Sequence, residues 1–261
     1  MRILLTFICA LMLFPQFACA SGYFEYQTNT IAAGYSWNAK SDIPYGNGNP
    51  SGNVYNAQFE HFDENKWGRN WFDVEGYFGK EMSDSPSQHT DSITYINPAF
   101  SFNKITNSHF KLGPITDVMA SLRVEKSNYG GFEANNAGVL FTLNIPGFQY
   151  FETDFYVRKM RYRGNPQKEP NFFGRFFYVA NPWNFFDLFK IHNMATFVYN
   201  ARRDGFNDSF FMRQDFFVYL DKKRNIDAGL RVDFHSFRKP AFLGTGRRTL
   251  VVPRLMIRMY L

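Results

Sequence analysis

The amino-acid sequence predicts an all-β fold: a transmembrane antiparallel β-barrel of twelve strands behind a leader that is removed. Three observations predict it. Apolar and charged residues alternate with period 2 in repeated segments, aromatic residues are as frequent as charged ones, and no apolar run of helix-spanning length occurs beyond the N-terminus. Aromatic and charged residues each make up 20% of the 261 residues, and mean hydropathy is −0.35. Chains too polar to bury a core are poor in aromatics, which excludes disorder. A membrane helix needs about 20 nearly continuous apolar residues, which excludes a helical bundle. Barrels and sandwiches of roughly 200–250 residues commonly form one unit, so a single domain is expected.

Taken in order, residues 1–20 read as a signal peptide and 21–261 as the barrel. Arg2 supplies the positive start, Ile3 to Phe14 an apolar run, and Ala18-Cys19-Ala20 a small-x-small cleavage site. The run is too short for a retained anchor. Gln16 and Phe17 are poor residues to precede a lipidated Cys19. Both cysteines, Cys9 and Cys19, fall in the leader, so the exported chain is expected to hold no disulfide, thiolate metal site or cysteine nucleophile.

Alternating segments follow near residues 23–36, 54–62, 70–79, 93–102, 115–126, 138–144, 149–158, 171–179, 190–199, 210–220, 225–235 and 249–260. Val118, Ala120, Leu122 and Val124 alternate with Asp117, Met119, Ser121, Arg123 and Glu125. Phe151, Thr153, Phe155 and Val157 alternate with Tyr150, Glu152, Asp154, Tyr156 and Arg158, and Ala228, Leu230, Val232 and Phe234 with Asp227, Gly229, Arg231, Asp233 and His235. This is strand periodicity with one apolar and one charged face. A soluble sandwich would turn the charged face to water and the apolar face to a core. A membrane barrel reverses this, with the apolar face on lipid and the charged face on the lumen.

Several features favour the barrel. The segment count is even, as in single-chain bacterial barrels. With the N-terminus on the periplasmic side, connections after odd segments are longer on average than those after even ones, Asn103 to Pro114 being the exception. Acidic residues and arginines occupy the polar strand faces, while lysines fall almost wholly in loops. The last segment carries Leu255, Ile257, Met259 and Leu261 on one face and Arg254, Met256, Arg258 and Tyr260 on the other. An apolar terminal strand resembles the assembly signal of outer-membrane barrels, although those usually end in Phe. Closure also leaves no exposed sheet edge.

A family resemblance accompanies this pattern. Asn56-Ala57-Gln58-Phe59-Glu60-His61-Phe62 followed by Trp71-Phe72-Asp73-Val74-Glu75-Gly76-Tyr77 resembles the second and third strands of the Tsx-type nucleoside-specific channels. Ile96-Asn97-Pro98-Ala99-Phe100-Ser101-Phe102-Asn103-Lys104-Ile105-Thr106-Asn107, then Gly113-Pro114, is similar to that family's Pro-containing strand, K-[LI]-T turn and G-P pair. The resemblance covers roughly residues 54 to 126. It implies a narrow outer-membrane barrel through which nucleosides diffuse, and by position it carries over Glu60, Phe62, Asp73 and Gly76. Tyr95, Asn97 and Ala99 stand where the family has charged lumenal groups, which opens the preference to other small solutes.

A nucleoside offers a flat base and a hydroxyl-rich sugar. A selective lumen needs aromatic faces, worth about 1–3 kcal/mol per stacked base, and carboxylates or amides for the sugar. The expected lumenal set is Glu60, Phe62, Asp73, Glu75, Tyr77, Glu125, Glu152, Asp154, Tyr156, Arg158, Arg231 and Asp233. Barrel interiors also lace carboxylates to arginines simply to hold their shape, and Arg123, Arg158, Arg213, Arg231, Arg254 and Arg258 fit that second role. Binding should be weak and multi-site, so that a solute can leave.

The formal net charge is +6, and its excess is expected in outer loops: Arg158-Lys159 with Arg161, Arg163 and Lys168, then Arg202-Arg203, Arg238-Lys239 and Arg247-Arg248. Lipopolysaccharide phosphates are the expected partner of these cations, and a funnel for anionic solutes is the alternative. No element reads as a nucleic-acid-recognising helix. An enzyme is not expected. None of His61, His89, His109, His192 and His235 is followed two residues later by Ser, the pair that outer-membrane phospholipases place on their rim. No histidine pair has metal-ligand spacing. The expectation is a monomeric channel in the bacterial outer membrane without metal or cofactor, with a structural, adhesive or lipid-modifying barrel as the alternative.

Overall fold

The structure, a computed structural model, describes residues 24–39, 52–79, 89–128, 131–162, 165–166, 170–185, 189–200, 209–238 and 247–261. The expected leader and its expected cleavage site lie outside these residues, as do Arg163, Lys168, Arg202, Arg203 and Lys239.

Twelve long strands form the wall: β1 (Phe24–Ala39), β2 (Gly52–Asn65), β3 (Gly68–Gly79), β4 (Thr90–Ser101), β5 (Ile115–Ser127), β6 (Glu133–Leu143), β7 (Phe148–Tyr162), β8 (Asn171–Ala180), β9 (Phe189–Asn200), β10 (Ser209–Tyr219), β11 (Ile226–Arg238) and β12 (Arg247–Tyr260). One helical turn, α1 (Phe102–Thr106), follows β4. Asn165–Pro166 and Trp183–Phe185 add short extensions against β7 and β9. Each strand pairs antiparallel with its successor, and β12 pairs with β1 from Thr30↔Tyr260 to Tyr35↔Leu255. The sheet is therefore closed, and every predicted segment is one of its strands. The strands are long enough to cross a hydrocarbon layer, for which about 9–11 tilted residues suffice.

The faces are inverted relative to a soluble protein. On β5, Asp117, Met119, Ser121, Arg123, Glu125 and Ser127 are buried while Ala120, Leu122 and Val124 between them are exposed. On β7, Glu152, Asp154, Tyr156 and Arg158 are buried and Phe155 and Val157 exposed; on β12, Arg254, Met256 and Arg258 are buried and Leu255, Ile257 and Met259 exposed. Charged residues accept burial only where they find partners, and a contiguous outward band of apolar side chains marks a surface covered by something other than water. The wall therefore spans a membrane with its polar face inward. Among the buried residues described there is no lysine, as expected from the sequence. Trp37, Tyr55, Phe78 and Tyr199 are exposed near one end of the strands and Trp67 at the other, the positions of aromatic girdles.

One end carries both strand termini of the described chain together with the turns 66–67, 144–147 and 220–225. The opposite end holds the last residues of β1 and β3 and the first residues of β2 and β4. The contrast in loop length is smaller than the sequence suggests, because β1, β2, β6 and β7 run several residues further toward the long-loop end than their alternation marks. Arg158, which the charge runs place in an outer loop, lies within β7 and is fully buried. Its inward assignment holds and its loop assignment does not.

Two inward glycines let the interior fill. Gly138 faces Tyr156 across β6 and β7, and Gly229 faces Phe217 across β10 and β11. A Cβ on Gly138 would lie 1.9 Å from the Phe155 carbonyl oxygen, and one on Gly229 1.9 Å from that of Phe216. Backbone cannot yield as a flexible side chain can. Gly229→Ala is therefore expected to cost at least the usual overpacking penalty of about 1–3 kcal/mol, seen as a lower midpoint in the heat-induced mobility shift of the refolded protein.

Candidate functional site in the barrel interior

Alternation sends every second side chain inward, so the interior is assembled from one face of each strand, and closure decides which of these meet. On β3 the inward face carries Arg69, Trp71, Asp73, Glu75 and Tyr77. Two of these reach far around the wall.

Glu75 meets Arg213 of β10, on nearly the opposite side of the barrel. Arg213 Nη1 donates to Glu75 Oε1, and Nη2 donates to Oε2 at 3.1 Å. The same guanidinium grips Asp233 of β11 through Nε at 2.8 Å and Nη2 at 3.2 Å. Tyr77 donates its hydroxyl to Glu75. Arg254 of β12 lies 3.3 Å from Asp233 Oδ2, donates through Nε to Ser36 of β1 at 3.1 Å, and sits 5.3 Å from the Tyr77 ring centroid. Side-chain exposure is 0% for Glu75 and 17% for Arg213, so the pair is largely shielded from water.

The second chord starts at Arg69. Its Nη2 lies 3.0 Å from Glu152 Oε1 and 2.9 Å from Oε2, on β7. Arg175 of β8 also donates to Glu152, and its Nε donates to Asp154 Oδ2 at 2.6 Å. Tyr150 donates to Glu152 at 2.7 Å and Tyr156 to Asp154 at 3.2 Å. Asn97 of β4 ties the same region to Arg69, Ser121 and Tyr156. At the end bearing the termini, Phe62 of β2 touches Tyr150 edge-on at 5.9 Å between centroids.

Between the chords lies an aromatic and guanidinium face. Trp71 and Tyr95 stack at 5.6 Å and 20°. Arg123 of β5 lies 5.0 Å from the Trp71 centroid and 4.8 Å from that of Tyr95, and Arg175 lies 5.7 Å from Trp71. Glu125 accepts from Arg123 Nε at 2.7 Å and from Arg158 Nη2 at 2.8 Å. Arg123 Nη1 and Asp154 Oδ1 are buried and have no hydrogen-bond partner among the described residues. A buried polar atom left in this condition normally costs about 1–3 kcal/mol, so this face has bonding capacity to spare.

A further cluster joins β10, β11 and β12 to β2. Arg231 holds Asp215 with two bonds of 2.8 Å and donates to Gln58 at 2.9 Å, and Gln58 donates to Asp73 at 3.0 Å. Glu60 stands directly opposite Asp73 in the register. Arg258 grips Asp227 at 2.9 and 2.6 Å and covers the Phe217 ring at 3.5 Å.

All twelve lumenal residues expected from the sequence thus lie on inward faces, but in separate groups. Glu75, Tyr77 and Asp233 share Arg213; Glu152, Asp154 and Tyr156 share Arg175; Glu125 and Arg158 form a third group; Arg231, Asp73 and Glu60 belong to a fourth; Phe62 stands apart at one end. Sequence reasoning missed Arg69, Trp71, Arg175, Asp215 and Gln58. Arg69 and Trp71 share the parity of Asp73 and could have been found by it. Arg175 could not, because Asn171–Ala180 has phenylalanine on both faces. Outside the lumen, His61 lies between Asn29 Oδ1 at 2.8 Å and Asp63 Oδ2 at 3.0 Å, fixed in the wall near the end bearing the termini.

Fold and interior together define a membrane-spanning β-barrel with a charged and aromatic lumen. No family model matches the chain, and no curated protein does. Among solved structures it is similar to the COG4313 outer membrane channel from Pseudomonas putida F1, at 8% identity over 92% of this chain and 98% of that one, with a TM-score of 0.46. It is also similar to the KdgM porin solved in complex with disordered oligogalacturonate (8% identity, 90% and 98% covered, TM-score 0.42) and to the beta domain of the Bordetella autotransporter BrkA (9%, 90% and 100%, TM-score 0.40).

Proposed function

We propose that this protein is a narrow channel of the bacterial outer membrane, passing small nucleoside-like solutes by passive diffusion along a lumen that ion pairs hold nearly shut at rest. The observation that carries this reading is the charged interior itself. A barrel that only had to be stable could be filled with apolar side chains, since replacing buried ion pairs by hydrophobic residues is often neutral or stabilising by about 1–4 kcal/mol. A polar, aromatic interior is useful when something wet has to move through it. Trp71 and Tyr95 offer aromatic surface for a base, Arg123 against them has a spare donor in Nη1, and Asp154, held by the Arg175 that also lies against Trp71, has a spare acceptor in Oδ1. Each contact is modest, as passage requires.

The test is single-channel conductance of the refolded protein in a planar bilayer, with adenosine, thymidine, a nucleotide and a sugar titrated against the current. Dose-dependent block by nucleosides and not by sugar is expected, and Tyr95→Ala should weaken it by roughly tenfold, the loss of about 1–3 kcal/mol of stacking. Equal block by all four solutes would remove the nucleoside preference. A second reading, a closed barrel with a structural or adhesive role, is favoured by the two cross-lumen chords and by the Phe62–Tyr150 contact. Absence of current from both the folded wild type and a folded variant lacking Glu75 and Arg213 would favour it. For the outer rim, lipopolysaccharide phosphates are the proposed partner of Lys126 and Arg161, which share Glu133 at 3.1 and 2.5 Å.

A further inference from the structure

The connection from β4 to β5 is the long one at the end where other turns are short, and its sequence, Phe102 to Pro114, exposes large apolar side chains. Phe102 is 52% exposed, Ile105 51%, Phe110 40% and Leu112 63%. These are not the loose contents of a floppy loop. The Ser101 side chain caps α1 by accepting from Lys104 N at 3.0 Å, and Asn107 ends it in the left-handed region at φ 51°. Asn103 organises the rest. Its Nδ2 donates to the carbonyls of Phe110 at 3.1 Å and Thr116 at 2.9 Å, and its Oδ1 accepts from Ser108 Oγ at 3.0 Å and Phe110 N at 2.9 Å. Leu112 and Ile115 exchange two backbone bonds of 3.0 Å. Lys104 reaches back to Glu25 of β1 at 2.7 Å and to the Asn65 carbonyl at 3.0 Å, clamping the segment to the neighbouring rim.

We propose that this segment is an interfacial foot that seats in the lipid leaflet on the side of the termini, fixing how deep the barrel sits. Two features select lipid as the occupant. The apolar surface continues that of the wall: Phe100, just before α1, and Leu122 and Val124 on β5 are exposed members of the lipid-facing band, and the carbonyl of exposed Trp67 accepts from Ser101 N at 2.8 Å. Exposed Lys111 and His109 lie among the apolar residues, a composition that suits the boundary between acyl chains and lipid phosphates. Exposed apolar patches of this kind mark interaction sites. The inference rests on the membrane-spanning fold and is independent of what passes through the lumen.

The test is nitroxide accessibility in the full chain carrying Cys9→Ser and Cys19→Ser, refolded into vesicles of phosphatidylethanolamine and phosphatidylglycerol, with the label at Ile105→Cys or Phe110→Cys in separate samples. Val124→Cys reports the hydrocarbon band and Lys222→Cys an aqueous turn at the same end. The expected result is preferential collision of both foot labels with oxygen over a water-soluble nickel chelate, intermediate between the two reference sites. Nickel accessibility equal to that at Lys222→Cys would overturn the proposal. So would protection from both reagents that disappears on dilution of protein into excess lipid, since that result places a second copy on the foot. Retention of the heat-modifiable mobility shift verifies folding of each variant, and the two label positions are independent of one another.

Discussion

Replacing Glu75 and Arg213 together with alanine is expected to raise the single-channel conductance severalfold, whereas replacing Arg213 alone is expected to damage the barrel. In the single variant Glu75, with 0% side-chain exposure, keeps its charge and loses the guanidinium that meets both its oxygens. Stranding one member of a buried pair costs about 3–5 kcal/mol, while removing both members is frequently far cheaper. Asp233 would also lose two hydrogen bonds in either variant, though Arg254 remains 3.3 Å from its Oδ2. A double-mutant cycle on the denaturant midpoint, read beside the current, separates the two effects. A double variant that folds and conducts no better than wild type would show that this chord does not limit the path.

The second large effect is expected at Glu152, which carries a heavier load than any neighbour because Arg69, Arg175 and Tyr150 all bond to it. Glu152→Ala leaves two guanidinium groups without their shared anion, and only Arg175 has a second carboxylate in Asp154. A loss of about 3–5 kcal/mol is expected for stranding a buried charge, enough to prevent refolding or to lower the urea midpoint sharply. Glu152→Gln keeps the shape and one acceptor, so it should fall between. Equal midpoints for wild type and Glu152→Ala would mean that water already neutralises this cluster.

The strand pattern was legible because long stretches of β5, β7 and β11 and the second half of β12 set charged residues on one face against apolar ones on the other, and the same parity identified the inward carboxylates. It failed where the faces do not differ. On β8, Phe172 and Phe176 face out and Phe173 faces in, so Arg175 could not be assigned to the lumen. At the long-loop end of β6, Glu133-Ala134-Asn135-Asn136-Ala137 carries too little apolar contrast to register as strand, although its backbone pairs with both neighbours. The chords were out of reach for a different reason. Alternation gives a residue's face and its ladder neighbours, whereas the meeting of Glu75 with Arg213, 138 positions along the chain, follows from the diameter and closure of the sheet. Helix α1 was missed because five residues are too few to establish a helical period.

The chords also constrain the order in which the protein can be built. Glu75 and Asp73 are carried by β3, while Arg213 and Arg231 arrive on β10 and β11, and the ladder that unites them closes only when β12 meets β1. If hairpins entered the hydrocarbon one after another, the early ones would bring bare carboxylates into a medium where each charge is expensive, with sheet edges unsatisfied beside them. Insertion is therefore expected to be concerted, completed when β12 meets β1. On that ground the acids of the first strands are expected to stay in water until the arginines of the last strands are in place, and the inward charges would disfavour inserting half a barrel.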